Sequence, residues 1–146
     1  MANCAASAAA YPGVPEFLVW LRRAGFRVGI VTRNCREAVE QALARSSLAC
    51  DVLLTREDVT RVKPDPEHLL VALGRMGVPA VDAVMCGDHP MDVIAGRSAG
   101  TATVGIQSGD LPADRFVQVH PDLVLSSVTE LRRHLPRQAP AGTGAG

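Results

Sequence analysis

Short β-branched runs alternate along this chain with longer stretches whose apolar residues recur at helical spacing, and that alternation leaves few architectures open. From Pro15 to Ala24 the apolar positions Phe17, Leu18, Trp20 and Leu21 mark a helix, with Gly25 as its stop. Phe26 to Val31 reads as a strand, and Asn34 can cap a helix from Cys35 to about Arg45 that carries Ala38, Val39, Ala42 and Leu43 on one face. A short strand at Val52-Leu53-Leu54 is followed by a helix from Glu67 to Met76 that ends at Gly77. A strand from Ala83 to Cys86, a helix from Met91 to Ala99 and a strand from Thr101 to Ile106 continue the series. Residues 107–121 are loop-like, Leu123-Val124-Leu125 is a last strand, and a helix runs from about Val128 to Leu135. Helices between successive strands are crossover connections, so the prediction is an α/β fold with a mainly parallel sheet. Such sheets bind ligands at the carboxyl ends of their strands.

The chain has 146 residues, of which 47% are hydrophobic, enough for one core and one domain. Fifteen basic residues balance fifteen acidic ones, so no global field favours nucleic acid or an acidic membrane. With 3% aromatic residues the chain also has little to stack on bases. Cys4, Cys35, Cys50 and Cys86 are scattered, without zinc-ligand spacing or a disulfide framework, which points to a reduced, cytoplasmic setting. The N-terminus lacks the charge and apolar core of a signal peptide, and no apolar run approaches the roughly 20 residues that span a bilayer. Residues 1–10 are expected to lie outside the core, residues 11–135 to form it, and the Pro-, Gly- and Ala-rich residues 136–146 to be a disordered tail.

At the carboxyl end of the strand from Ala83 to Cys86 stands Gly87-Asp88-His89-Pro90-Met91-Asp92. Gly87 permits a sharp turn, and Asp88 and Asp92, four apart, can converge near the start of the next helix, where paired oxygens suit Mg²⁺. The plainer assignment makes Asp88 an N-cap and Asp92 a first-turn acid favoured by the helix dipole. Two other strand ends hold Thr32 with Arg33 and Asn34, and Lys63. The Thr32 hydroxyl and the amides after it can bind a phosphoryl oxygen at a helix N-terminus, and Lys63 can offset charge on phosphate or carboxylate. Thr32 as an ordinary strand end and Lys63 as a solvated loop lysine remain the alternatives, and His89 reads as a solvated turn residue.

The order of Gly29-Ile30-Val31-Thr32-Arg33-Asn34, Lys63-Pro64-Asp65-Pro66 and Gly87 to Asp92, with Pro12-Gly13-Val14, Ala95-Gly96 and Ala99-Gly100, resembles the haloacid dehalogenase (HAD) superfamily of phosphohydrolases, in its phosphoglycolate-phosphatase-like branch. The resemblance runs from about Tyr11 to Leu135 and implies a Rossmann-like core. It implies that Thr32 binds the phosphoryl group, with Arg33 and Asn34 beside it, that Lys63 steadies phosphate and nucleophile, and that Asp88 and Asp92 position Mg²⁺. The implied substrate is a small phosphorylated metabolite.

The family's first motif, Asp-x-Asp at the end of the first strand, is found nowhere in these residues. In relatives its first Asp is the nucleophile and its second the general acid and base, and the strand that carries it lies between the strand ending at Val31 and the strand ending at Cys86. The resemblance therefore implies a core lacking its central strand and cap, read as N-terminally truncated and inactive or nearly so by itself. The alternative is a non-catalytic phosphate-binding or protein-interaction module. Either way, two unpaired inner strand edges favour self-association.

Overall fold

The fold is a computed structural model described over residues 13–45, 50–107, 112 and 114–135. The segments 1–10 and 136–146 and the side chains of Ala42 and Leu43 lie outside the described residues. In chain order the elements are α1 (Val14–Arg23), β1 (Gly29–Val31), α2 (Arg36–Arg45), β2 (Val52–Leu54), α3 (Glu67–Met76), β3 (Val84–Gly87), α4 (Pro90–Ala99), β4 (Ala102–Ile106) and β5 (Leu123–Leu125). Three 3₁₀ turns, Arg56–Asp58, Ala80–Asp82 and Val128–Arg133, complete the described chain.

All the strand pairings are parallel, but the strands form two sheets. β1 pairs with β2, with Ile30 opposite Leu53; β3 pairs with β4 and β4 with β5, with Cys86 opposite Val104 and Gly105 opposite Val124. The discontinuity falls between β1 and β3, where the central strand was expected to be missing. Both elements are accordingly less buried than β4, in which four of five residues are buried.

What spans the discontinuity is helical packing. α3 lies against β1, β2 and α4, and α4 lies against β3 and β4. Leu69, Ala95 and Ala99 form a buried cluster joined by Val31 of β1 and Met85 of β3, so one apolar contact set serves both sheets. The second cluster, Phe17, Val104, Ile106, Leu125 and Leu131, draws in Cys86, the residue after Met85. Successive strand side chains point to opposite faces, so the clusters lie on the two sides of β3. Trp20 closes the second side, stacked on Phe17 at 6.0 Å between ring centroids and covered by the Arg132 guanidinium at 4.4 Å.

Two elements differ from expectation. The strand expected over Phe26 to Val31 is ordered as strand only from Gly29, because the Asp51 carboxylate takes the Val28 amide at 2.7 Å and draws it out of the ladder. The helix expected over Val128 to Leu135 is a 3₁₀ turn, Val128–Arg133. Ser127 caps it and Leu131 is its one buried residue, too little apolar surface to offset nucleation of an α-helix.

Two helical glycines make opposite predictions. A Cβ on Gly96 would stand 2.8 Å from the Met85 Cβ and 2.9 Å from the Thr103 Cγ2, whereas one on Gly74 would meet nothing within 4 Å. Alanine in a helix gains about 0.5–1 kcal/mol over glycine, while overpacking costs about 1–3 kcal/mol. Gly74→Ala is thus expected to raise the urea midpoint and Gly96→Ala to lower it; equal shifts would contradict the packing of α4 on β3.

Candidate active site

Gly87 ends β3 and Asp92 stands in the first turn of α4, and the two fit by contact: a Cβ on Gly87 would lie 2.1 Å from the Asp92 Oδ2. Glycine at this position is what lets the carboxylate fold back over the strand end. The N-cap is His89, not Asp88: its Nδ1 accepts from the Met91 amide at 3.1 Å, and the Asp92 Oδ2 accepts from the His89 amide at 3.2 Å. His89 is exposed, as expected of a turn residue. Asp92 sits in the first turn, where the helix dipole favours an acid, but it is 5% exposed and does more than cap.

Its Oδ1 accepts from the Lys63 Nζ at 2.7 Å. The two side chains are 8% and 10% exposed, so this is a buried ion pair and the reading of Lys63 as a solvated loop lysine is corrected. Lys63 arrives from the loop before α3, ahead of a cis bond to Pro64, and its Nζ also donates to the Val31 carbonyl at 3.4 Å. The last residue of β1 and the first turn of α4 are therefore joined through one ammonium group.

Thr32 follows Val31 and is held by its own amide, which donates to the Leu54 carbonyl at 3.0 Å. Its hydroxyl oxygen accepts the Asn34 amide at 3.0 Å, which leaves the hydroxyl proton for an incoming oxygen. That same bond occupies one of the amides expected to bind phosphate. Glu57 takes another donor of this region, the Arg36 amide at 2.8 Å, and the hydrogen bond holds its carboxyl below the usual carboxylate range. Asp58 is bound by the Thr55 amide and by the Arg36 guanidinium, which lowers it similarly. Asn34 is half-buried, with its carbonyl accepting from the Arg56 amide at 3.2 Å, and Arg33 is exposed beside Thr32.

The structure thus brings Lys63 and Asp92 together directly, and Thr32 to them through Val31. Asp88 stands at the end of β3, half-buried, with its backbone carbonyl accepting from the Arg115 Nε at 2.6 Å. Among the described residues no group of three or more His, Cys, Asp or Glu side chains could hold a metal ion. Two carboxylates still fit Mg²⁺, which keeps much of its water and takes oxygen ligands, and they do not fit a softer metal that needs imidazole or thiolate. Asp92 is already shared with Lys63, so a cation here would draw on Asp88 as well as on Asp92.

Two features of the site were not read in the sequence. Lys63 is the only lysine among fifteen basic residues, a bias against ammonium everywhere but here that composition could have flagged. The Arg115 contact had no signal, since it joins positions 27 apart.

Removing one partner of a buried ion pair costs about 3–5 kcal/mol, because the other charge is left unpaired. Lys63→Met alone is expected to lower unfolding stability by that order, and Lys63→Met with Asp92→Leu to recover much of it; a double variant no better than the single one in urea melts would argue against the pair. Burial pushes the neighbouring Cys86 thiol up to about 12, with the Asp92 charge adding to the effect. Its unfolded thiol ionises lower, so stability tied to the protonated thiol is full below the ordinary value and is lost as pH rises toward 12. Iodoacetamide at about pH 9 should therefore leave Cys86 unmodified in the native chain and modify it in urea, as read by peptide mass spectrometry.

Known proteins are similar to this chain in sequence and in fold. The haloacid dehalogenase-like hydrolase family model matches residues 2–106. Pyrophosphatase PpaX of Bacillus velezensis is 37% identical over 123 residues, 83% of this chain and 57% of that protein. PpaX of Bacillus mycoides is 36% identical over 130 residues, 87% and 60% of the two chains. Among solved structures, a HAD phosphatase from Thermococcus onnurineus superimposes with a TM-score of 0.75 at 33% identity, over 88% of this chain and 59% of that one. A "predicted phosphoglycolate phosphatase" from Haemophilus somnus does so with a TM-score of 0.76 at 25% identity, over 85% and 56%. The chain thus spans less than two thirds of the length of these relatives. With the family match covering most of its residues, the chain belongs to the haloacid dehalogenase-like hydrolase family.

Proposed function

We propose that these residues form the phosphate- and metal-handling part of a Mg²⁺-dependent phosphomonoester hydrolase acting on a small phosphorylated metabolite. The observation that carries the reading is the buried Lys63 ammonium, fixed between the Val31 carbonyl and the Asp92 carboxylate next to Thr32. A cation placed there at the cost of desolvation is suited to an anion arriving at the end of β1. Thr32 would donate its hydroxyl proton to a phosphoryl oxygen, with Arg33 and Asn34 beside it, while Lys63 offsets the charge. Asp88 and Asp92 would hold Mg²⁺, which when bound neutralises further phosphate oxygen charge.

Hydrolysis needs a nucleophile, and no Asp-x-Asp occurs among the 146 residues. The chain by itself is therefore read as a binding site with little or no turnover. A second reading, a phosphate-binding or interaction module without catalysis, is favoured by the same fact, since Thr32, Lys63, Asp88 and Asp92 stand together without that motif. The inner edges of β1 and β3, which pair with no strand among the described residues, support self-association. The scattered cysteines, without zinc-ligand or disulfide spacing in the sequence, support a reducing, cytoplasmic setting. Among the described residues no helix is long and apolar enough to cross a membrane.

Millimolar phosphate with Mg²⁺ is expected to raise the thermal midpoint of the chain, as any ligand of the native state does, and Thr32→Val is expected to reduce the shift. A phosphomonoester with Mg²⁺ should show no hydrolysis that depends on Asp88. No midpoint shift would defeat the binding reading, and turnover lost in Asp88→Asn would defeat the claim that the nucleophile is lacking.

A further inference from the structure

Between β4 and β5 the sequence reads as plain loop, yet its described part is fastened at several points. Phe116, 4% exposed, packs on Gly105 so closely that a Cβ there would come within 2.9 Å of its ring. Arg97 of α4 donates from Nη1 to the Val119 carbonyl at 2.6 Å and from Nη2 to the His120 carbonyl. Asp122 accepts from the Thr103 amide at 2.8 Å and from its hydroxyl at 3.1 Å. From this anchored strap Arg115 donates its Nε–H to the Asp88 carbonyl at 2.6 Å.

The peptide unit between Asp88 and His89 is consequently gripped at both ends. Its N–H donates to the Asp92 Oδ2 at 3.2 Å, a contact local to the start of α4. Its carbonyl is held by a residue 27 positions onward. With both dipoles of the unit engaged, rotation about its long axis is fixed, and so is the direction in which Asp88 leaves the backbone.

We propose that Arg115 is a positioning residue for Asp88, aiming its carboxylate at the end of β3 where a divalent cation would sit; this rests on the reading of Asp88 as a Mg²⁺ ligand. Two effects of the guanidinium oppose one another. As a charge it repels a cation, so losing it should tighten metal binding. As a positioning group it supports the carboxylate, and losing such an outer partner weakens metal affinity by roughly tenfold or more. The direction of change therefore separates the two roles.

The test is an NMR titration of the ¹⁵N-labelled chain with Mn²⁺ alone, following paramagnetic broadening of the Gly87, Asp88 and His89 amides, with amide dispersion and the metal-free thermal midpoint as controls for folding. Broadening at this turn is expected in wild type and lost in Asp88→Asn. Arg115→Gln should need roughly tenfold more Mn²⁺. Arg115→Lys, which keeps the charge and one donor toward the carbonyl, should fall between and serves should the Gln variant fail to fold. Mn²⁺ binding unchanged or tighter in Arg115→Gln, or equal to wild type in Arg115→Lys if only that variant folds, overturns the positioning role while leaving Asp88 as a ligand. No broadening at the turn in wild type overturns the metal reading of Asp88 and the positioning role with it.

Discussion

The Lys63–Asp92 ion pair is the constraint from which the other parts of the site take their places. Taking two charges out of water costs several kcal/mol each, and their attraction at 2.7 Å roughly recovers it, so the pair is weak evidence of stability. Its structural content is geometric. The ammonium holds the last carbonyl of β1 and the first turn of α4, the helix that follows β3, and so ties together two sheets that share no strand pairing among the described residues. Gly87 leaves the space that the Asp92 carboxylate occupies, and the small residues Ala95, Gly96 and Ala99 let α4 lie close over β3 and β4.

Much of this was legible in the sequence where local chemistry decides the outcome. The glycine stops at Gly25 and Gly77 adopt the left-handed conformation that ends a helix, and the β-branched runs form strands. Thr32 and the Asp88 to Asp92 turn lie at strand ends as expected, whereas Lys63, expected at one too, reaches the site from the loop before α3. What escaped was set by partners far away in sequence. Asp51 shortens β1 from 23 residues off, Arg36 and Asp58 bind across 22, and the Lys63–Asp92 pair joins positions 29 apart. His89 as the cap also escaped, since the acid one position earlier is the more common capping residue type.

Among the described residues the sheet is interrupted between β1 and β3, and the site spans the break. Parallel strands usually carry neighbours on both sides, and β4 shows the burial this gives, with Thr103, Val104, Gly105 and Ile106 all buried. Among the described residues β1 and β3 each pair with a strand on one side only. Helices α3 and α4 bridge the two sheets from one face and hold Leu69, Ala95 and Ala99 against Val31 and Met85, which keeps β1 and β3 in one packed unit despite the break in hydrogen bonding.

Using a single lysine, buried, in a chain whose other fourteen basic side chains are arginine has a chemical consequence beyond the site. Guanidinium groups do not react with acylating reagents or aldehydes under conditions that consume a primary amine. The folded chain therefore offers such reagents no exposed side-chain amine, and one appears only when α4 lifts away from Lys63. Amine chemistry on this molecule becomes a clock for opening of the site itself, because coupling at that single nitrogen counts the moments when the two sheets part.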